Sequence, residues 1–178
     1  LYFKKIGIPF NALVRVDSIN EEMLKLLKGA GCVSLNVSVD SANQEIRERV
    51  IKKRFTNQDV INRFRLAESY GISICNNMIL ALPGSTIEDD KDAVRLDIAA
   101  GVKSPSFTVL MPYPGTEIGQ YCSERGYFDV DPDKLVGSLF ERSPLTCFTE
   151  KEKDQQKNIL YLGGLAVFLG NSAKWAGR

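Results

Sequence analysis

Three joints in this chain read alike: Ala30-Gly31-Cys32, Tyr70-Gly71-Ile72 and Ala100-Gly101-Val102. Each sets a glycine between the end of a helical pattern and the start of a strand pattern. A glycine just past the last periodic residue stops a helix, because it alone takes the left-handed conformation without cost. Repetition of that joint dictates alternating strands and helices. Such a chain buries its apolar faces as a parallel sheet with helices packed on it, joined by right-handed crossovers.

The strand patterns bear this out. Val33 to Asp40 alternates, with Val33, Leu35, Val37 and Val39 on one side and Ser34, Asn36, Ser38 and Asp40 on the other. The apolar side is expected to meet the helices. The polar side then faces either solvent or a lumen holding water or a polar ligand, since packed barrel interiors are filled by Val, Ile and Leu. Ile72 to Leu82 alternates too, with Asn76 as a polar exception on the apolar side and Asn77 on the other. Ala12 to Val16 and Ser106 to Met111 are the remaining strand candidates.

The helices announce their starts. Ser18-x-x-Glu21, Thr56-x-x-Asp59, Thr86-x-x-Asp89 and Thr149-x-x-Glu152 have capping-box spacing. Met23, Leu24, Leu26 and Leu27 are expected on one face of the first helix, and Val60, Ile61, Phe64 and Ala67 on that of the third. Ala42 to Lys53 reads as a polar helix, basic at its end through Arg47, Arg49, Lys52, Lys53 and Arg54. A solvated face near a favourable dipole explains that charge, and a phosphate site is the second reading. The run Met78 to Asp90, with Pro83-Gly84 at its turn, feeds a strand into a helix N-terminus, the place where α/β proteins put ligands. After Tyr127 the pattern changes to an acidic stretch (Asp129, Asp131, Asp133), then helices near 134–141 and 150–169, with a kink expected at Gly163-Gly164 and a fraying tail from Asn171.

Composition removes several classes of function. The 178 residues carry a net charge of +1, which gives no electrostatic case for nucleic acid. With no histidine, the commonest general base and metal ligand are missing. The four cysteines, Cys32, Cys75, Cys122 and Cys147, are too far apart for short-spaced ligand pairs and read as free thiols of a reducing cytosol. No apolar run reaches the roughly 20 residues of a membrane span. A cytoplasmic chain that is a piece of something longer is expected.

In order and spacing, Val14-Arg-Val-Asp17, Leu26-Leu-Lys-Gly-Ala-Gly-Cys32, Val37-Ser-Val-Asp-Ser41, Ile51-Lys-Lys-Arg54, Leu80-Ala-Leu-Pro-Gly84 and Pro112-Tyr-Pro-Gly-Thr-Glu117 resemble the C-terminal half of the core domain of radical S-adenosylmethionine (SAM) enzymes. The nearest branch is the iron–sulfur oxidoreductases that often carry a cobalamin domain. The resemblance implies an α/β fold: a partial parallel (β/α) barrel, TIM-like, of about four βα units over 1–128, with a helical extension over 129–178.

It implies SAM and a [4Fe–4S] cluster in the full-length protein, with cobalamin in that branch. The cluster's Cys-x-x-x-Cys-x-x-Cys loop is absent from this sequence. The missing N-terminal part of the same protein and a small-molecule substrate are then its partners, and the fragment alone is expected to be inactive. In the whole enzyme, reductive cleavage of SAM would yield a 5′-deoxyadenosyl radical that abstracts hydrogen from the substrate.

Carried over by position, Arg15, Asp40, Arg54 and Asn77 would contact SAM, and Ala81 would stand where the backbone approaches the adenine. A pair between Arg15 and Asp40 is expected inside the barrel, and a helix-capping role for Asp40 is the alternative. Against the enzyme stands a non-enzymatic half-barrel binding a nucleoside-like ligand or a protein. An aldolase-like lyase ranks last, for want of a strand lysine. The helical region after Asp129 is expected to close or border the barrel mouth.

Overall fold

A computed structural model describes residues 5–128 and 141–176. The acidic stretch from Asp129 and, apart from Glu141, the helix expected over 134–141 lie outside the described residues. Four strands, β1 (Phe10–Val14), β2 (Cys32–Asp40), β3 (Ser73–Leu80) and β4 (Ser104–Val109), form one sheet in the order β1-β2-β3-β4, every pair parallel. Between them run α1 (Glu21–Ala30), the short α2 (Gln44–Arg49), α3 (Asn57–Ser69) and α4 (Ile87–Ala100); α5 (Glu117–Glu124) and the long α6 (Glu150–Ala176) follow β4.

The repeated joint does what its glycine allows: Gly31, Gly71 and Gly101 take φ of 101°, 66° and 75°. Thr56 and Thr86 build complete capping boxes with Asp59 and Asp89, and Thr149 with Glu152 starts α6. Ser18 does not cap α1. Its hydroxyl turns back to Arg15 O inside a 3-10 turn (Val16–Ser18), and Asn20 accepts from the Met23 N–H instead. The second helix is shorter than expected and is capped by Asn43, which leaves Asp40 free of that role.

β3 alternates residue by residue between buried and half-buried, with Ile74, Met78 and Leu80 under the helices. Leu35, Val37 and Val39 of β2 join them; Val33, at the strand's entry, is exposed. In α1, Leu24 is buried and Met23 and Leu27 partly so, while Leu26 faces outward. Among the described residues no helix lies over the opposite face of the sheet, which carries the polar row: Ser34 donates to Asn11 Oδ1 at 2.5 Å, and Asn77 donates to Asn36 Oδ1 at 2.9 Å.

α6 runs as one continuous helix through Gly163-Gly164 to Ala176, so the fraying expected from Asn171 is not present over 171–176. It packs along β4 and α4, with Val167 in the sheet's own core, and therefore flanks the edge strand instead of closing a mouth. The missing side chains of two glycines seat it. A Cβ on Gly163 would lie 2.9 Å from the Phe107 ring, and one on Gly170 2.7 Å from Ile98 Cδ1. The segment leading into α6 does border the C-terminal ends of the strands: Leu145 and Phe148 pack there with Leu82, Val109 and Cys122.

Candidate functional site

The C-terminal ends of β1 and β2 and the loop after α2 enclose a cleft of about 340 Å³. Arg15 stands on its wall at the exit of β1 with Val16, Ser38 lies on its floor, and Lys53 and Phe55 come from the loop. Strand ends in a parallel sheet are where backbone groups and helix N-termini are exposed to a ligand.

Asp40, at the end of β2, is linked to the cleft through Lys53. It is buried and left-handed, φ 69°, a conformation in which Asp is enriched among the L residues. Its Oδ2 accepts from Lys53 Nζ at 2.5 Å, and the same ammonium donates to Ser38 O at 2.7 Å. Lys53 reaches it because Lys52 is also left-handed, φ 61°, and folds the loop back over β2.

The loop is fastened underneath by Arg47, which is wholly buried: its guanidinium donates to Ser41 O and Phe55 O, both at 2.6 Å, and to Asn57 Oδ1 at 2.8 Å, and lies over the Phe55 ring. Burial lowers the Arg47 pKa, against which the charge of Asp40 works. The solvated basic helix face expected from the sequence is therefore divided. Arg49, Lys52 and Arg54 are outside, Lys53 is in the cleft, and Arg47 is in the interior, because its backbone acceptors lie there.

Arg15 does not reach Asp40. It forms a two-armed pair with Asp17, at 3.0 and 2.8 Å, a carboxylate presented by the 3-10 turn that the sequence pattern did not disclose. The pair holds the Asp17 carboxyl below its ordinary range. Asn77 lies on the open face, its amide bridging to Asn36 Oδ1 with Val37 O and Ser38 Oγ at 3.4 and 3.5 Å. Arg54 is 85% exposed with a long, 3.6 Å contact to Glu48. Ala81 is wholly buried with φ 58°, and its N–H is directed at the carboxyl of Asp90 on α4, 3.2 Å away. Burial pushes Asp90 up to about 7, against the pull of that N–H.

The structure thus places Arg15 on the cleft wall, ties Asp40 to the cleft through Lys53, the member that sequence reasoning missed, and ties Asn77 to it only through the long contact to Ser38 Oγ. The only signal for Lys53 was its place in the run of three cations Lys52-Lys53-Arg54, and which of these turns inward depends on the φ of Lys52. An ammonium and a guanidinium on the cleft, with a carboxylate on Lys53 and the Asn77 amide by Ser38, can take a zwitterionic ligand bearing hydroxyls.

The sequence matches the profile of the Radical SAM superfamily over residues 2–96, more than half of the chain. The chain belongs to the radical SAM superfamily. Among curated relatives, it is 27% identical over 136 residues to an uncharacterized methyltransferase of Pyrococcus horikoshii, covering 71% of this chain and 29% of that protein. It is 27% identical over 145 residues to the cytidylyl-2-hydroxyethylphosphonate methyltransferase of Streptomyces wedmorensis, covering 75% and 26%. The chain therefore spans less than a third of these relatives' length.

Among solved structures, it is similar to the coproporphyrinogen III oxidase HemN from Escherichia coli, a radical SAM enzyme (TM-score 0.63, 16% identity, 90% of this chain and 35% of that one). It is also similar to the radical SAM methyltransferase TsrM from Kitasatospora setae with cobalamin and a [4Fe–4S] cluster bound (TM-score 0.59, 21% identity, 85% and 28%). Both likenesses are of fold.

Radical SAM proteins use SAM and a [4Fe–4S] cluster, and this chain fits the two unequally. The cleft's donor set suits SAM. The thiols do not suit a cluster: Cys32 and Cys122 are buried, Cys75 is half-buried and Cys147 exposed, and no group of three His, Cys, Asp or Glu side chains able to hold a metal occurs among the described residues.

Proposed function

We propose that this chain supplies the SAM-orienting wall of a radical SAM enzyme whose cluster is held by another part of the protein. The observation that carries the reading is the Asp40–Lys53 pair, partly buried at the strand ends beside the polar open face. Asp40 suits the ribose hydroxyls as acceptor, and Lys53 suits a carboxylate. Asn77 offers an amide to the sugar, and Arg15 closes the wall. Arg54, lightly tethered, supplies a second cation at the rim, and the turn at Ala81 borders the adenine. In the whole enzyme, bound SAM is the source of the adenosyl radical used for hydrogen abstraction from a small-molecule substrate. The residues of this chain bind and orient SAM and move no proton, in keeping with the absence of histidine.

Methyl transfer is the first reaction class to assay, because the two relatives named above are called methyltransferases. The test is a SAM titration of the full-length protein with its cluster restored. Asp40→Ala, Lys53→Met and Asn77→Ala should each weaken binding by about tenfold, the loss of one polar contact of about 1.4 kcal/mol. Unchanged affinity in all three would remove the reading. Formation of 5′-deoxyadenosine or S-adenosylhomocysteine separates an enzyme from a half-barrel that only binds a nucleoside-like ligand.

A further inference from the structure

β2 and β3 fall out of step at one place. Ser38 pairs with Asn77 and Asp40 with Met78, which leaves Val39 as an extra residue without a partner in that ladder. A bulge of this kind takes one backbone N–H away from its ladder acceptor, and a buried N–H needs another. Val39 is wholly buried, and its N–H is received by the Asn76 side chain, Oδ1 at 3.2 Å. A backbone N–H can only donate, so the amide oxygen of Asn76 must face it and the amide nitrogen is left to point the other way. There it donates to Asp97 Oδ1 of α4 at 2.6 Å.

Asn76 and Asp97 are both fully buried on the helix side of the sheet, among residues such as Ile74, Met78 and Leu96. Asp97 Oδ2 meets no donor among the described residues. Burying such a pair costs stability where apolar side chains would have packed. What the pair secures is local: Val39 stays out of the ladder, Asp40 turns left-handed behind it, and the Asp40 carboxylate comes round to Lys53.

We infer that Asn76 and Asp97 are a positioning pair, which holds the Val39 bulge and so brings the Asp40 carboxylate round to Lys53 beside the cleft. This rests on the reading of the cleft as the SAM site. The pair touches no ligand. It fixes the backbone from which the ligand-facing groups project.

The test uses the full-length protein with its cluster restored and reads two quantities: hydrogen exchange at the Val39 amide and affinity for SAM. Asp97→Ala should speed Val39 exchange and weaken SAM binding by about tenfold, the size expected for coupled neighbours. Asp97→Asn keeps an acceptor for Asn76 and should restore both to within about twofold. In an Asp40→Ala background, Asp97→Ala should change SAM affinity by less than about twofold, because the group it positions is gone.

The paired replacement Asn76→Val with Asp97→Leu removes the polar groups together, keeps the core filled, and should reproduce the losses of Asp97→Ala if that variant does not fold. Unaltered Val39 exchange in Asp97→Ala overturns the inference, as does an equal loss of affinity with and without Asp40. If Asp40→Ala alone leaves SAM binding unchanged, the ligand reading of Asp40 fails, and the exchange measurement still decides whether the pair holds the bulge.

Discussion

At Ala81 an L residue occupies a backbone conformation, φ 58°, that glycine adopts freely. The left-handed state costs an L residue about 1–2 kcal/mol. Ala81→Gly removes that cost but gives up a buried methyl worth about 0.8 kcal/mol and adds about 0.4–1 kcal/mol of unfolded-chain entropy. The terms cancel, so Ala81→Gly should shift stability by less than about 1 kcal/mol in denaturant unfolding. Ala81→Val adds a branched side chain at a fully buried site with positive φ, and should cost about 3 kcal/mol. Arg47 is the other residue whose environment decides its effect. Arg47→Met leaves the carbonyls of Ser41 and Phe55 without their donor. At about 1–3 kcal/mol for each unsatisfied group, a loss of about 3 kcal/mol is expected, read as a lower urea midpoint.

Among the elements, α6 offers a contrast between adjacent glycines. Gly164 has open space at its Cβ, so Gly164→Ala should raise stability by about 1 kcal/mol through helix propensity alone. Gly163→Ala gains the same propensity but drives a methyl into the Phe107 ring, and should lower the melting temperature. Period-2 alternation made β2 and β3 legible in sequence, because burial on one face is a property of every second residue. Capping boxes at Thr56 and Thr86 were legible because both partners are local. The Ser18-x-x-Glu21 pattern had the same spacing yet failed, since the 3-10 turn after β1 takes the Ser18 hydroxyl for Arg15 O. Parity put Asn77 on the half-buried side of β3, where it lies, but it could not place Arg15, which follows the end of β1, or Asp40, which follows the bulge at Val39. The Asp40–Lys53 pair was not legible. It depends on a bulge at Val39 and on two left-handed residues, Asp40 and Lys52, which no local pattern marks. Asn76 stood out as a polar residue on an apolar side, but its partner Asp97 lies on a helix 21 residues away.

For the whole molecule, the two buried acids of α4 set how stability varies with pH. Burial raises both Asp90 and Asp97 to about 7; the Ala81 N–H opposes this at Asp90, and the Asn76 amide opposes it at Asp97. The unfolded chain releases these protons near pH 3.9, so between about pH 4 and 7 the native state holds more protons than the unfolded one. Their contribution is therefore full below pH 4, falls as pH rises through that window, and is flat above it. Unfolding in urea at pH 5 and pH 8 should show a smaller difference for Asp97→Asn than for the unaltered chain. Among the described residues the helices cover one face of the sheet, and α6 sets where that cover ends. Gly163 and Gly170 stand seven residues, or about 10 Å, apart on the helix, each receiving a side chain of the layer beneath. A rod held in two notches cannot slide along its axis by a fraction of a turn without lifting out of both. α6 is then a ruler: its seat beside Phe107 and Ile98 fixes, about 20 Å away, how deep its first turn at Glu150 and the segment before it stand against the strand ends.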